Sequence, residues 1–185
     1  QWKNHFNIQS LKTYDTKPDL FKLVKQTPVA HSNLSEMGFK TSSQKIRNYA
    51  VTPELIQNYE ATRNFPAQDS TSRLGPHLRF GTVSIRALVK KATAEKNEIF
   101  WQELIWREFF MQILWHFPHS TTQSFKPQYD RIVWRNNETE FKAWCEGKTG
   151  YPLVDAGMRQ LNETGFMHNR VRMLAGSFLC KHLLI

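Results

Sequence analysis

Only two cysteines, Cys145 and Cys180, occur in 185 residues. That excludes a disulfide framework and fits a reducing compartment. No apolar run reaches the length of a transmembrane helix, and no secretory leader opens the chain, so a soluble, cytoplasmic protein with no membrane partner is expected. No internal repeat and no metal-ligand spacing is present: His116 and His119 lack Cys or acidic companions, and no metal is expected. No alternating strand pattern appears either, which leaves an all-α class. Acidic residues are outnumbered, 16 against 25 Lys and Arg, for a formal charge of +9. Such an excess favours polyanions, nucleic acid first and an anionic membrane second. Six Trp and thirteen Phe are enough to fill a core or to offer flat surfaces to ring systems.

The most informative stretch is residues 97–115. Apolar residues at Phe100, Trp101, Leu104, Ile105, Phe109, Phe110, Ile113 and Leu114 have helical spacing, with no Gly or Pro until Pro118. The breadth of that stripe places this rod inside the fold. On it, Glu103, Trp106, Arg107 and Phe110 lie three and four apart and share a side. A carboxylate and a guanidinium carried inward need partners. Two readings stay open: an intrahelical Glu103–Arg107 salt bridge, or a face lining a polar cavity that holds a ligand.

Residues 1–48, with Pro18 and Pro28, read as an irregular connector, and residues 49–185 as the folded domain. Thr52-Pro53-Glu54 starts a helix that runs to about Thr62. Asp69 to Pro76 is a hydroxyl-rich turn before a short helix ending at Gly81, either an ordinary cap or an anion-binding turn. An amphipathic helix follows over 84–96, then the rod, then an irregular connection from His116 to Trp134. Asn137 with Glu140 reads as a capping box, Gly147 as its helix stop, and Pro152 to Gly165 as the next helix. The last helix starts near Met167 and runs to the terminus. On it Asn169, Arg172, Met173 and Gly176 share a face; Gly176 removes bulk, and Arg172 lies amid apolar neighbours without a local acid. The apolar, uncapped end at Ile185 predicts that the natural protein continues, a short protein with an inward tail being the alternative.

Four motifs, Thr71-Ser72-Arg73-Leu74, Glu103 to Phe109, Gly150 to Arg159 and Met167 to Met173, resemble in order and spacing the FAD-binding domain of the DNA photolyase/cryptochrome family, closest to its class I cyclobutane dimer photolyases. The resemblance implies a helical domain, incomplete at its C-terminal end, that holds folded FAD, with an antenna chromophore in a missing N-terminal domain. It implies FAD phosphate contacts at Thr71, Ser72, Arg73, Leu74 and Gly75, Gly75 departing from the Ser common there, with Tyr59 at the phosphate end. It places Glu103, Arg107, Asn169 and Arg172 near the cofactor.

It implies further that Glu103 and Trp106 meet a flipped-out pyrimidine dimer, with Asn169 and Met173 beside it. Arg63, Glu103, Trp106, Arg107, Asn169 and Arg170 are then DNA contacts, and Trp134 the outermost tryptophan of a photoreducing electron-transfer chain. Phe166 stands where Trp is common. The class that repairs pyrimidone photoproducts has His at the positions of Asn169 and Met173, so this chain does not match it. The implied function is light-driven repair of cyclobutane pyrimidine dimers in damaged DNA by an enzyme, a carbon–carbon lyase, acting as a monomer. This piece is expected to be inactive and to bind FAD weakly or not at all. The alternatives are a cryptochrome-type blue-light receptor and a helical DNA-binding module without cofactor.

Overall fold

The computed structural model describes residues 7–14 and 32–185. It divides into two units, Gln1–Lys45 and Ile46–Ile185. In the first, a 3-10 turn at Ile8–Ser10 is capped by Asn7, and the Asn33 side chain bonds Glu36 and Ser35 in a second turn. Pro18 and Pro28 of the expected connector lie outside the described residues.

The second unit is helical, without strands among the described residues: α1 (Pro53–Thr62), α2 (Gly75–Arg79), α3 (Ile85–Ala94), α4 (Glu98–His116), α5 (Glu138–Glu146), α6 (Pro152–Thr164) and α7 (Asn169–Phe178). No helix among the described residues is long and apolar enough to cross a membrane. Side-chain oxygens cap the starts. Thr52 accepts from the Leu55 N–H, Ser84 from Ala87, Asn97 from Phe100 and Asn137 from Thr139 and Glu140. Each satisfies a donor that the first turn cannot. The box expected at Asn137 is half formed, because the Glu140 carboxylate turns to Arg135 at 2.9 Å.

Two hydrophobic clusters organise the unit. Val51, Ile56, Leu74, Leu88, Ala92, Phe100 and Leu104 form the first, where α1 and α3 pack on the N-terminal half of α4. Val154, Met158, Met167, Val171, Ala175 and Phe178 form the second, between α6 and α7. Asn97 also donates to the Ile56 carbonyl at 2.6 Å, tying α4 to α1.

Three expectations change. The rod is buried only at Phe100 and Leu104. Trp106, Phe110, Leu114 and Trp115 are half or more exposed, because within this chain α1 and α3 reach only its first half. The last α-helix starts at Asn169, with His168 as its N-cap, and passes at Leu179 into a π-helical turn, Leu179–Leu183. Arg172 is exposed rather than sunk among its apolar neighbours, and the space at Gly176 is open.

Asp155 shows how the Gly150 to Arg159 motif folds. Its carboxylate accepts from the Thr149 N–H at 2.8 Å, the Thr149 hydroxyl at 2.6 Å and the Gly150 N–H at 2.9 Å. Burial pushes this carboxyl up, but those bonds outweigh it and hold the group below its ordinary value. A depressed folded-state pKa stabilises the fold above the unfolded value and is lost as pH falls through the folded one. Asp155→Ala is therefore expected to cost about 2 kcal/mol at neutral pH. That deficit should shrink as pH falls through the folded value, because the part linked to the carboxylate charge is lost there, as thermal melts at neutral and acidic pH check.

Candidate functional site

Helix α1 ends at Arg63, and its last turn meets one turn of α4. The Tyr59 ring lies edge-on to Phe100, centroids 5.1 Å apart. One turn further along both helices, Arg63 Nη1 stands 2.6 Å from Glu103 Oε1. The guanidinium also lies 5.2 Å over the Tyr59 ring. Burial raises the Tyr59 phenol, with Arg63 opposing and Glu103 adding to the shift. The Arg63 and Glu103 side chains are 22% and 38% exposed, so the pair sits at the rim of the core. Glu103 Oε2 makes no hydrogen bond among the described residues.

The next residue reaches the other cluster. Asn64 Oδ1 accepts from Arg170 Nε at 2.9 Å and from Nη2 at 2.7 Å. Arg170 opens α7, where the buried His168 ring accepts from its backbone N–H at 3.2 Å. Burial holds the His168 imidazole below its ordinary value, against the Arg63 backbone, which favours the charged form. A polar line therefore runs Glu103–Arg63, Asn64–Arg170 from α4 to α7.

The hydroxyl-rich turn is the third feature. Arg73 has φ +56°, a left-handed conformation that costs energy for a side chain with a Cβ. Its guanidinium donates to Asp69 at 2.7 Å and lies 3.4 Å over the Phe166 ring. Arg47 reaches the other Asp69 oxygen at 3.3 Å. The Arg73 hydrogen bond holds the Asp69 carboxyl below its usual range, outweighing burial. Together they line a polar cavity of about 170 Å³ with Thr71, Gln160 and His168. The Thr71 and Ser72 hydroxyls make no hydrogen bond among the described residues. A Cβ at Gly75 would meet nothing within 4 Å, and the start of α2 has no side-chain cap. Leu74, by contrast, is 5% exposed and belongs to the first core.

Residues 100–185 match the family described as the FAD binding domain of DNA photolyase. The deoxyribodipyrimidine photo-lyase of Agrobacterium fabrum is 38% identical over 191 aligned residues, spanning 100% of this chain and 38% of that protein. A bacterial class III photolyase from Agrobacterium tumefaciens superimposes with TM-score 0.68 at 45% identity, over 71% of this chain and 29% of that one. A cryptochrome from Synechocystis superimposes with TM-score 0.70 at 27% identity, over 98% and 47%. The chain belongs to the DNA photolyase/cryptochrome family. It spans under half the length of each of these relatives.

Within this photolyase-family domain, the structure brings Tyr59, Arg63 and Glu103 together and sets Arg170 beside them through Asn64. The intrahelical Glu103–Arg107 bridge does not form. Arg107 instead donates to the Leu78 carbonyl at 3.2 Å, because the nearer partner for Glu103 is Arg63 on the packed helix. Trp106 is 51% exposed, stacked on Phe110 at 5.9 Å and edge-on to Phe109 at 5.4 Å. Asn169 is exposed, its amide 3.9 Å from the sulfur of Met173, which is 58% exposed. Arg172 and Trp134 stand apart from these contacts: Arg172 is exposed on α7, and Trp134 is 39% exposed in the segment before α5. Sequence reasoning missed Asn64, His168 and the Arg47–Asp69–Arg73 group. Asp69 and Arg73, four residues apart, carried a legible charge pair; Asn64 and His168 carried no such signal.

Proposed function

We propose that this chain contributes part of the flavin- and DNA-facing surface of an enzyme that repairs cyclobutane pyrimidine dimers in DNA with light and reduced FAD. The observation that carries the reading is the Arg63–Glu103 pair beside the exposed Trp106 ring, one turn along α4. Trp106 offers a flat apolar face to an unstacked base. Glu103, held through one oxygen, keeps the other for the polar edge of that base. Asn169 and Met173 supply an amide and a soft thioether at the start of α7, and Arg63 and Arg170 face the phosphate backbone.

The residues present fit the phosphate end of FAD. Thr71 and Ser72 have uncommitted hydroxyls, and Gly75 leaves open space next to an uncapped helix start. Arg73 enters this reading through its backbone, since Asp69 and Phe166 hold its side chain, and Leu74 likewise through its N–H. Arg107, Arg172 and Asn169 would line the flavin end. When bound in its reduced form, FAD supplies light absorption and the electron; the side chains bind, orient and exclude water. Trp134, partly exposed, suits an outer electron-transfer position.

This chain alone is expected to hold FAD weakly, because Arg172 and Asn169 stand in solvent. A titration read by visible absorbance checks this, and tight stoichiometric flavin overturns it. The function itself is tested with the intact protein carrying this sequence: under blue light and with reduced FAD, it should remove dimers from an irradiated oligonucleotide. Flavin photoreduction without dimer loss selects a cryptochrome-type receptor instead, the reading favoured by the cryptochrome superposition over 98% of the chain. The class III neighbour leaves the proposal at dimer repair, without a class.

A further inference from the structure

We infer that Asn64 is a positioning residue that aims the Arg170 guanidinium at the DNA backbone while leaving its charge unspent; the inference rests on the DNA-face reading of Arg170. Two donors of Arg170, Nε and Nη2, converge on the single acceptor Asn64 Oδ1 at 2.9 and 2.7 Å. Arginine has donors only, so the amide oxygen, not its NH2, must face it. This bond fixes the plane of a long side chain that is otherwise exposed on α7. The remaining N–H groups, on Nη1 and the free edge of Nη2, are left for an outside acceptor. No carboxylate lies within 4 Å of Arg170 among the described residues.

The choice of a neutral partner is the point. An aspartate in the same place would make a fork-shaped ion pair and cancel the cation. Asparagine gives the geometry without the cancellation. Arg63 beside it is in the opposite situation, its charge matched by Glu103 at 2.6 Å. Of the two arginines at this junction, Arg170 is the one whose net charge stays available to a phosphate. Because Asn64 follows the C-cap of α1 and Arg170 lies in the first turn of α7, the same bond also ties the ends of these two helices together.

The test uses the full chain, a short undamaged B-form duplex, and the dependence of log Kd on log salt concentration. One lost phosphate contact lowers the magnitude of that slope by about 0.9. Arg170→Ala and Asn64→Asp are each expected to lower it by that amount. Asn64→Ala keeps the charge, so it should keep the slope while weakening binding severalfold at every salt concentration. Asn64→Asp should melt no lower than the parent, so stability and DNA binding part company, as a merely structural role would not allow. If Arg170→Ala lowers the slope and Asn64→Asp leaves it unchanged, the positioning inference is overturned and the DNA face stands. If Arg170→Ala changes nothing, both are overturned. Should Asn64→Asp melt lower, Asn64→Ala decides, and unchanged affinity there overturns the inference.

Discussion

Gly157→Ala is expected to destabilise the α6–α7 half of the domain by about 3 kcal/mol. A Cβ at Gly157 would stand 2.3 Å from Val171 Cγ1, against about 3.5–4.0 Å for an ordinary carbon contact. Val171 is 5% exposed and shares a buried cluster with Met158, Met167 and Ala175, so moving it away from the new methyl pushes it into packed neighbours. Overpacking of this severity costs roughly 4 kcal/mol, just above the usual range of about 1–3. Alanine regains about 1 kcal/mol over glycine as a helix former. For a domain of this size the net loss lowers Tm by roughly 6–12 °C. The mechanism makes a second demand. Trimming the obstacle with Val171→Ala should make the double variant more stable than the sum of the two single losses, by at least about 1 kcal/mol. Additive losses in thermal or urea melts would remove close helix packing as the reason for glycine here.

The helices themselves were legible because their ends are local chemistry. Thr52, Ser84, Asn97 and Asn137 announce a cap by residue type alone, and each accepts the N–H that its position predicts. Gly147 and Gly165 end their helices with φ +66° and +68°, which glycine adopts at no steric cost. The partner of Glu103 was not legible. Arg107 is its neighbour in sequence, whereas Arg63 is forty residues away and arrives only through the packing of α1 on α4. The apolar stripe of α4 is legible as apolar but its cover is not, since periodicity reports what a helix could bury and not what lies on it. Asn64 is the clearest limit. A neutral amide at the end of a helix looks like a turn residue, and its role appears only once α7 brings Arg170 to it.

Trp106→Ala should lower affinity for a dimer-containing oligonucleotide by roughly 10- to 100-fold in the intact protein, with flavin content and stability almost unchanged. The ring is half exposed, and its neighbours Phe109 and Phe110 are 38% and 60% exposed themselves. Removing it therefore opens no buried cavity and forfeits ring contacts worth about 1 kcal/mol at most. Stacking of an unstacked base on an aromatic face contributes about 1–3 kcal/mol per base, which is the loss expected on the damaged strand. Undamaged duplex keeps its bases stacked and cannot use the ring, so its affinity should hold. Trp106→Phe should restore most of the discrimination, because a flat apolar face is what the role requires. Glu103→Ala should behave like Trp106→Ala on damaged DNA, but it also frees Arg63, whose unpaired charge should strengthen binding to undamaged duplex and steepen its salt dependence. Fluorescence anisotropy on both oligonucleotides, alongside the flavin absorbance of each variant, separates these effects. An equal loss on damaged and undamaged DNA would make Trp106 a general contact, and a parallel loss of flavin would move it into the cofactor's surroundings.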